Sequence, residues 1–126
     1  LATRDFSELR VYLLSEKLSE LVWSIVKGWD RLAVDTIGKQ IIRSADSLGA
    51  NLAEGTGRGS FQDNRRFVKI ARGSLYETRH WLRRAHARKL ISVEEIRGLR
   101  EVIEELGPRL NAYLTSIGPP KRSADE

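Results

Sequence analysis

The sequence predicts an all-α protein, an antiparallel up-down four-helix bundle in a single domain. Three observations carry that expectation. Apolar residues recur at helical spacing along nearly the whole chain. Strand signals are absent: no stretch alternates apolar and polar residues for long, and no Asn-Gly hairpin turn occurs. The breakers cluster at a few points, so the helical pattern divides into four long segments with short connections. A chain of 126 residues, 40% of them hydrophobic, is enough for one domain with one core.

The first helix is expected over about Asp5 to Gly28. Phe6, Leu9, Leu13, Leu18, Leu21, Val22, Ile25 and Trp29 keep to one broad face, and Gly28 marks the end. The second is expected over about Asp35 to Glu54, with Asp35 as N-cap. Its apolar stripe is Ile37, Ile41, Ala45, Leu48 and Leu52. The third runs from about Phe61 to Lys89. Ser60 precedes it, and Asp63 three residues on imitates a capping box. Phe67, Ile70, Ala71, Ser74, Leu75, Thr78, Trp81, Leu82 and Ala85 form its inner face. The fourth starts after Ser92, whose Ser-x-x-Glu box is completed by Glu95. Leu99, Ile103, Leu106, Leu110, Tyr113 and Ile117 then trace a heptad seam. Pro108 removes one backbone donor inside that helix, so a kink is expected there rather than a break. The bundle is expected over 1–118 and a disordered tail over 119–126.

Between the second and third helices stands NLAEGTGRGS, Asn51 to Ser60. Its three glycines resemble a phosphate loop at first sight. A Walker loop needs Gly-x-x-x-x-Gly-Lys-Ser/Thr after a strand, and a dinucleotide loop needs Gly-x-Gly-x-x-Gly after a strand. Here Gly59-Ser60 lacks the lysine, the spacing is Gly55-x-Gly57-x-Gly59, and a helix precedes. The stretch therefore reads as a turn. Gly55 is expected to end the helix in the left-handed conformation, with Gly57 and Gly59 reversing the chain. The start of the third helix beside Arg58 leaves room for a single phosphate at most.

Gln40, Arg43, Ser47, Asn51 and Glu54 form a polar ladder along the second helix, within a stripe roughly 80° wide. Ala45, Gly49, Ala50 and Ala53 keep the helix slim beside it. A polar stripe on a slim helix points to close packing with hydrogen bonds across it. A solvated face and a ligand site are the competing readings.

QIIRSADSLGANLAEGTGRGS, followed by RFVKIARGSLYE, resembles the bacterial four-helix family of ribosomal RNA intervening-sequence proteins. The positions that carry the resemblance are Gln40, Arg43, Ser47, Asn51, Ala53, Glu54, Gly55, Gly57, Arg58, Phe67, Ala71, Arg72, Gly73, Ser74 and Glu77. It extends over about residues 5 to 117. Leu52 replaces the usual Ile, Gly49 stands where Pro is frequent, and Pro108 is unusual. The resemblance implies a homo-oligomer, a pentamer, with no established enzymatic activity. It also implies a likeness in fold to the accessory variability determinant of diversity-generating retroelements. That protein is a basic pentamer that partners a reverse transcriptase and binds nucleic acid.

Charge is distributed unevenly. The chain carries 22 basic and 17 acidic residues, a net +5. The third helix alone carries nine basic residues against Asp63 and Glu77, a net +7. Arg65, Lys69, Arg72, Arg79 and Arg83 fall within an arc of roughly 80°, with Tyr76 in its middle, expected opposite the apolar stripe. Like charges stacked on one face need a counter-charge. It can come from an acidic face of a neighbouring subunit, such as Glu101, Glu104 and Glu105, or from the phosphates of RNA or DNA. Tyr76 is placed to stack on a base.

Other chemistry finds little support. No cysteine occurs, which suits a cytoplasmic setting. No run of about 18 apolar residues is present to span a membrane. LATRDFSELR lacks a signal-peptide core, and the absence of a leading Met predicts residues upstream. Glu77-x-x-His80 has the spacing of one arm of a bundle di-iron site, but a second arm is missing, so neither a metal nor another cofactor is expected. No nucleophile with an adjacent base can be read. Trp23, Trp29 and Trp81 are expected in the core or at subunit contacts. The expected function is a non-enzymatic oligomeric interaction protein. It would bind RNA or DNA non-specifically through Arg65, Lys69, Arg72, Tyr76, Arg79 and Arg83. The alternative is a protein-binding scaffold, for example for a reverse transcriptase.

Overall fold

The computed structural model describes residues 5–119. The expected tail, apart from Pro119, lies outside them. Four helices build the fold: α1 Arg10–Val26, α2 Lys39–Thr56, α3 Phe61–Ala87 and α4 Val93–Ser116. They stand in a square in which α1 neighbours α2 and α4, and α3 neighbours the same two. Short connections make successive helices antiparallel. The α2–α3 contact is the most extensive and the α3–α4 contact the least.

The ends of the helices follow local chemistry. A three-residue 3-10 turn, Phe6–Glu8, precedes α1, and Leu9 is extended, so the helix begins at Arg10 and not at Asp5. Asp30, not Asp35, caps the next segment: its Oδ1 accepts from the Ala33 N–H at 2.9 Å. Asp35 instead pairs with Arg31 one turn back, at 3.4 Å. From Arg31 the chain makes one α-helical turn, Arg31–Ala33, then a π segment, Val34–Gly38, which leads directly into α2. Gly38 is pressed against α1. A Cβ there would lie 2.7 Å from Val26 Cγ1 and 3.1 Å from the Ala33 carbonyl.

The Ser92–Glu95 capping box forms in full, with Glu95 N–H to Ser92 Oγ at 3.1 Å and Ser92 N–H to Glu95 Oε1 at 2.9 Å. Ser60 caps α3 by accepting from the Asp63 N–H at 3.1 Å. Pro108 lies inside α4, and the helix runs through it without a break.

The core is aliphatic and continuous. Leu18, Ile41, Leu48, Leu52, Val68, Leu106 and Leu110 are fully buried, each worth about 1.5–3 kcal/mol relative to exposure. The α2 stripe is buried as expected from its spacing. The other stripes are rotated slightly from the expectation. On α1, Val11 and Leu14 are buried while Leu13 stays 43% exposed. On α3, Val68 is buried while Ile70 stays 42% exposed. On α4, Val102 joins the buried set, and Ile103, Tyr113 and Ile117 are half-buried. A helix in a square bundle meets two neighbours, and their relative closeness turns the buried arc.

Candidate nucleic-acid interface

The polar ladder of α2 and the cationic row of α3 end up on opposite flanks of α3. The first is knit into the fold. Across the α2–α3 seam, Thr78 Oγ1 lies 2.9 Å from Ser44 Oγ and Ser74 Oγ lies 3.1 Å from Ser47 Oγ. Asn51 donates from Nδ2 to the Ser47 carbonyl at 2.8 Å. Arg43 bonds Gln40 Oε1 at 3.0 Å and pairs with Glu77, which also accepts from the Trp81 indole at 3.1 Å. These residues fasten two helices, because small side chains bring the backbones close enough for short hydroxyls to meet.

Gly55 shows how close that approach is. It does not end the helix in a left-handed turn. It is buried inside α2, and a Cβ there would stand 2.5 Å from Asn64 Oδ1 and 3.0 Å from Phe67 Cβ. The Asn64 amide oxygen beside this glycine is buried and has no hydrogen-bond partner among the described residues. The left-handed residue of the loop is Gly59, at φ 85°. Gly57 is right-handed, at φ −87°. Gly73 sits mid-helix with nothing within 4 Å of a Cβ.

The start of α3 is already neutralised. Arg58 pairs with Glu54 at 3.5 Å and with Asp63 at 3.7 Å, and its guanidinium lies 5.4 Å from the Phe67 ring centroid. Asp63 sits in the first turn of α3, where a bound phosphate would meet its charge. Glu77 and His80 are likewise occupied. Glu77 serves Arg43 and Trp81, and the His80 ring meets Trp81 edge-on at 4.7 Å. Among the described residues no three acidic or histidine side chains gather into a metal-binding group.

The cationic row lies on the α4 side of α3 rather than opposite the core. Two of its members are tied to α4. Arg65 donates to the Ile117 carbonyl at 2.8 Å, and Arg72 donates to Asn111 Oδ1 at 3.1 Å. Arg65 thereby satisfies a carbonyl at the C-terminus of α4, where a cation is favoured. Lys69, Arg79 and Arg83 are exposed and form no ion pair among the described residues, and the same holds for Arg84 on the outer side. Tyr76 is 60% exposed, with the Arg79 guanidinium 5.4 Å from its ring centroid. Of the six residues read from the sequence as one site, four therefore form an open row and two belong to the fold.

The sequence reading missed what lies beside that row. Between the C-terminal part of α3 and the N-terminal part of α4 lies a groove of about 290 Å³. Leu82, Ile91, Ile96, Leu99 and Ile103 line it with aliphatic side chains, and Arg79, Arg83, His86, Arg100 and Glu104 supply its polar lining. Leu99 and Ile103 belong to the expected α4 seam and Leu82 to the expected inner face of α3, but their spacing does not indicate that a groove lies between the two helices, and Ile91 falls in neither stripe. Glu101, Glu104 and Glu105 are not a uniform acidic face either. Glu105 is held by Arg10 of α1 at 2.9 Å and by Arg109 at 2.7 Å, and the Arg10 hydrogen bonds keep its carboxyl below the usual range.

The fold matches a crystal structure from Bacteroides thetaiotaomicron described as a protein of unknown function from the S23 ribosomal protein family. The TM-score is 0.74 at 23% identity, covering 84% of this chain and 99% of that one. No curated protein matches. The family model described as 23S rRNA-intervening sequence protein matches residues 7–112. That span holds the ladder, the glycine turn and the cationic row, and the chain belongs to the 23S rRNA-intervening sequence protein family.

Proposed function

We propose that the protein is a non-enzymatic interaction protein that binds nucleic acid through Lys69, Arg79, Arg83 and Tyr76 of α3. The observation that carries this reading is the set of cations left without an ionic partner. Several arginines elsewhere are paired, as Arg10, Arg43, Arg58 and Arg109 are. On the α4 flank of α3 they are not. Phosphate oxygens supply the missing counter-charge, independent of sequence and sensitive to salt. The family name refers to 23S rRNA, so RNA is the first ligand to test.

A homo-oligomer, a pentamer by resemblance, would repeat the row around a ring, and simultaneous contacts would strengthen weak single ones. Binding of labelled RNA and DNA across a salt series, with mass followed by light scattering, tests both parts. The expected result is binding that weakens steeply with salt and fails in Lys69→Gln/Arg79→Gln/Arg83→Gln at unchanged mass. Absence of binding at low salt overturns it.

A protein-binding scaffold is the second reading. It is favoured by Trp23, 55% exposed on α1, and by Leu32, 76% exposed beside the π segment. Co-purification of a protein partner that is lost on Trp23→Ala, with no shift of nucleic acid, would establish it. A reverse transcriptase is one partner to test for.

A further inference from the structure

We infer that the α3–α4 groove makes the site selective for single-stranded nucleic acid, by receiving an unstacked base beside the cationic row. The inference rests on the nucleic-acid reading above and specifies its ligand.

Three features of the groove point to a base. Its apolar lining is aliphatic: Ile91 and Leu99 are buried, and Leu82 and Ile103 are half-buried. At about 290 Å³ it lies at the small end of ligand sites, large enough for one flat ring system and too small for a partner helix about 10 Å across. Its polar lining is cationic, with three arginines against Glu104. A flat apolar ring flanked by anions is what a nucleotide in a single strand offers.

The surroundings extend the same pattern. Lys69 and Arg83 are 14 residues apart on one helix, about 21 Å, which spans several nucleotides. Tyr76 lies between them with its ring more than half exposed, and Arg79 bridges from that ring to the groove. A strand following the row would set phosphates on the cations, one base on Tyr76 and another in the groove. In a duplex the bases are paired and stacked, so neither contact can form unless a base is extruded. A second copy of this chain could also cover the groove with an acidic face, and the test separates that outcome.

The test compares fluorescence anisotropy of a labelled strand of roughly 12 nucleotides with that of its duplex at equal salt. Wild type, Tyr76→Ala, the groove-filling Ile103→Trp and Lys69→Gln/Arg79→Gln/Arg83→Gln are run together. Circular dichroism melting and light scattering monitor fold and mass. The expected result is single-strand affinity at least about tenfold above duplex affinity. Tyr76→Ala and Ile103→Trp should each close most of that gap without weakening the duplex, and the triple variant should lose both ligands. On the wild-type protein, a strand carrying iodouracil should photo-crosslink to Tyr76 or to His86 in the groove lining, a readout that does not depend on any variant folding.

Equal affinity for strand and duplex, with crosslinks elsewhere, overturns this inference and leaves the nucleic-acid reading standing. No binding of either ligand overturns both. If the triple variant then also loses mass, the groove is covered by a second copy.

Discussion

Thr78 Oγ1 lies 2.9 Å from Ser44 Oγ at the centre of the α2–α3 seam, and both residues are fully buried. Each hydroxyl also reaches a carbonyl of its own helix, Ser74 at 2.8 Å and Ile41 at 3.1 Å. Two hydroxyl protons therefore serve three contacts. Removing one partner leaves the other a carbonyl to fall back on. Thr78→Val should cost about 1 kcal/mol in urea unfolding. Thr78→Val/Ser44→Ala should cost clearly less than the sum of the two single changes, because either single change already removes the one seam bond. Strict additivity would show that the seam bond contributes nothing.

Gly55 and Gly73 belong to the same signature and should respond in opposite directions. A methyl at Gly55 meets Asn64 Oδ1 and Phe67 Cβ, so Gly55→Ala should destabilise by about 1–3 kcal/mol. A methyl at Gly73 meets nothing, so Gly73→Ala should stabilise by about 0.5–1 kcal/mol through helix propensity. Thermal melting of the two variants decides it. A stabilised Gly73→Ala that has lost its native mass would place that glycine at a contact between copies.

The Arg10–Glu105–Arg109 cluster should make stability fall in acid. The folded carboxyl titrates below its ordinary value, chiefly because Arg10 donates to it. The unfolded chain therefore takes up the proton first. The contribution is fully present above about pH 4.5 and is lost as the pH falls through the lower folded value. Arg10 and Arg109 are more than half exposed, so the effect is small. Urea midpoints of wild type and Glu105→Gln should differ at neutral pH and converge as the pH falls below the lowered folded value. A gap that stays constant with pH would assign the difference to packing instead.

Arg65 and Lys69 look alike in sequence and should separate in experiment. Arg65→Met removes the donor to the Ile117 carbonyl and should lower stability by about 1.5 kcal/mol, since the lost bond is charge-assisted. Lys69→Met should leave stability within about 0.5 kcal/mol. It should reduce the salt slope of nucleic-acid binding by about one. Equal effects of the two on stability would mean that Lys69 is also held by the fold.

Much of this molecule was legible in the sequence, because helix periodicity and end chemistry are local. The four segments, the α2 stripe, the Ser92–Glu95 box and the Ser60 cap depend on residues within a few positions of one another. The signature placed the chain in its family, and the ladder indicated close packing. Its partners across the seam, Ser74 and Glu77, could be located only once α2 and α3 were side by side.

What only the tertiary structure decided was how each helix is turned about its axis. Periodicity gives the width of an apolar stripe, while unequal distances to two neighbours set which edge is buried. That rotation put Val68 inside and left Ile70 partly exposed, and it moved the cationic row to the α4 flank. There Arg65 and Arg72 became struts of the fold, and Lys69, Arg79 and Arg83 stayed open. Gly55 shows the same division: the sequence showed a glycine near a helix end, and the approach of Asn64 and Phe67 gave the reason for it. A sequence records which residues share a face, but what that face meets depends on the distance between chain segments far apart in sequence.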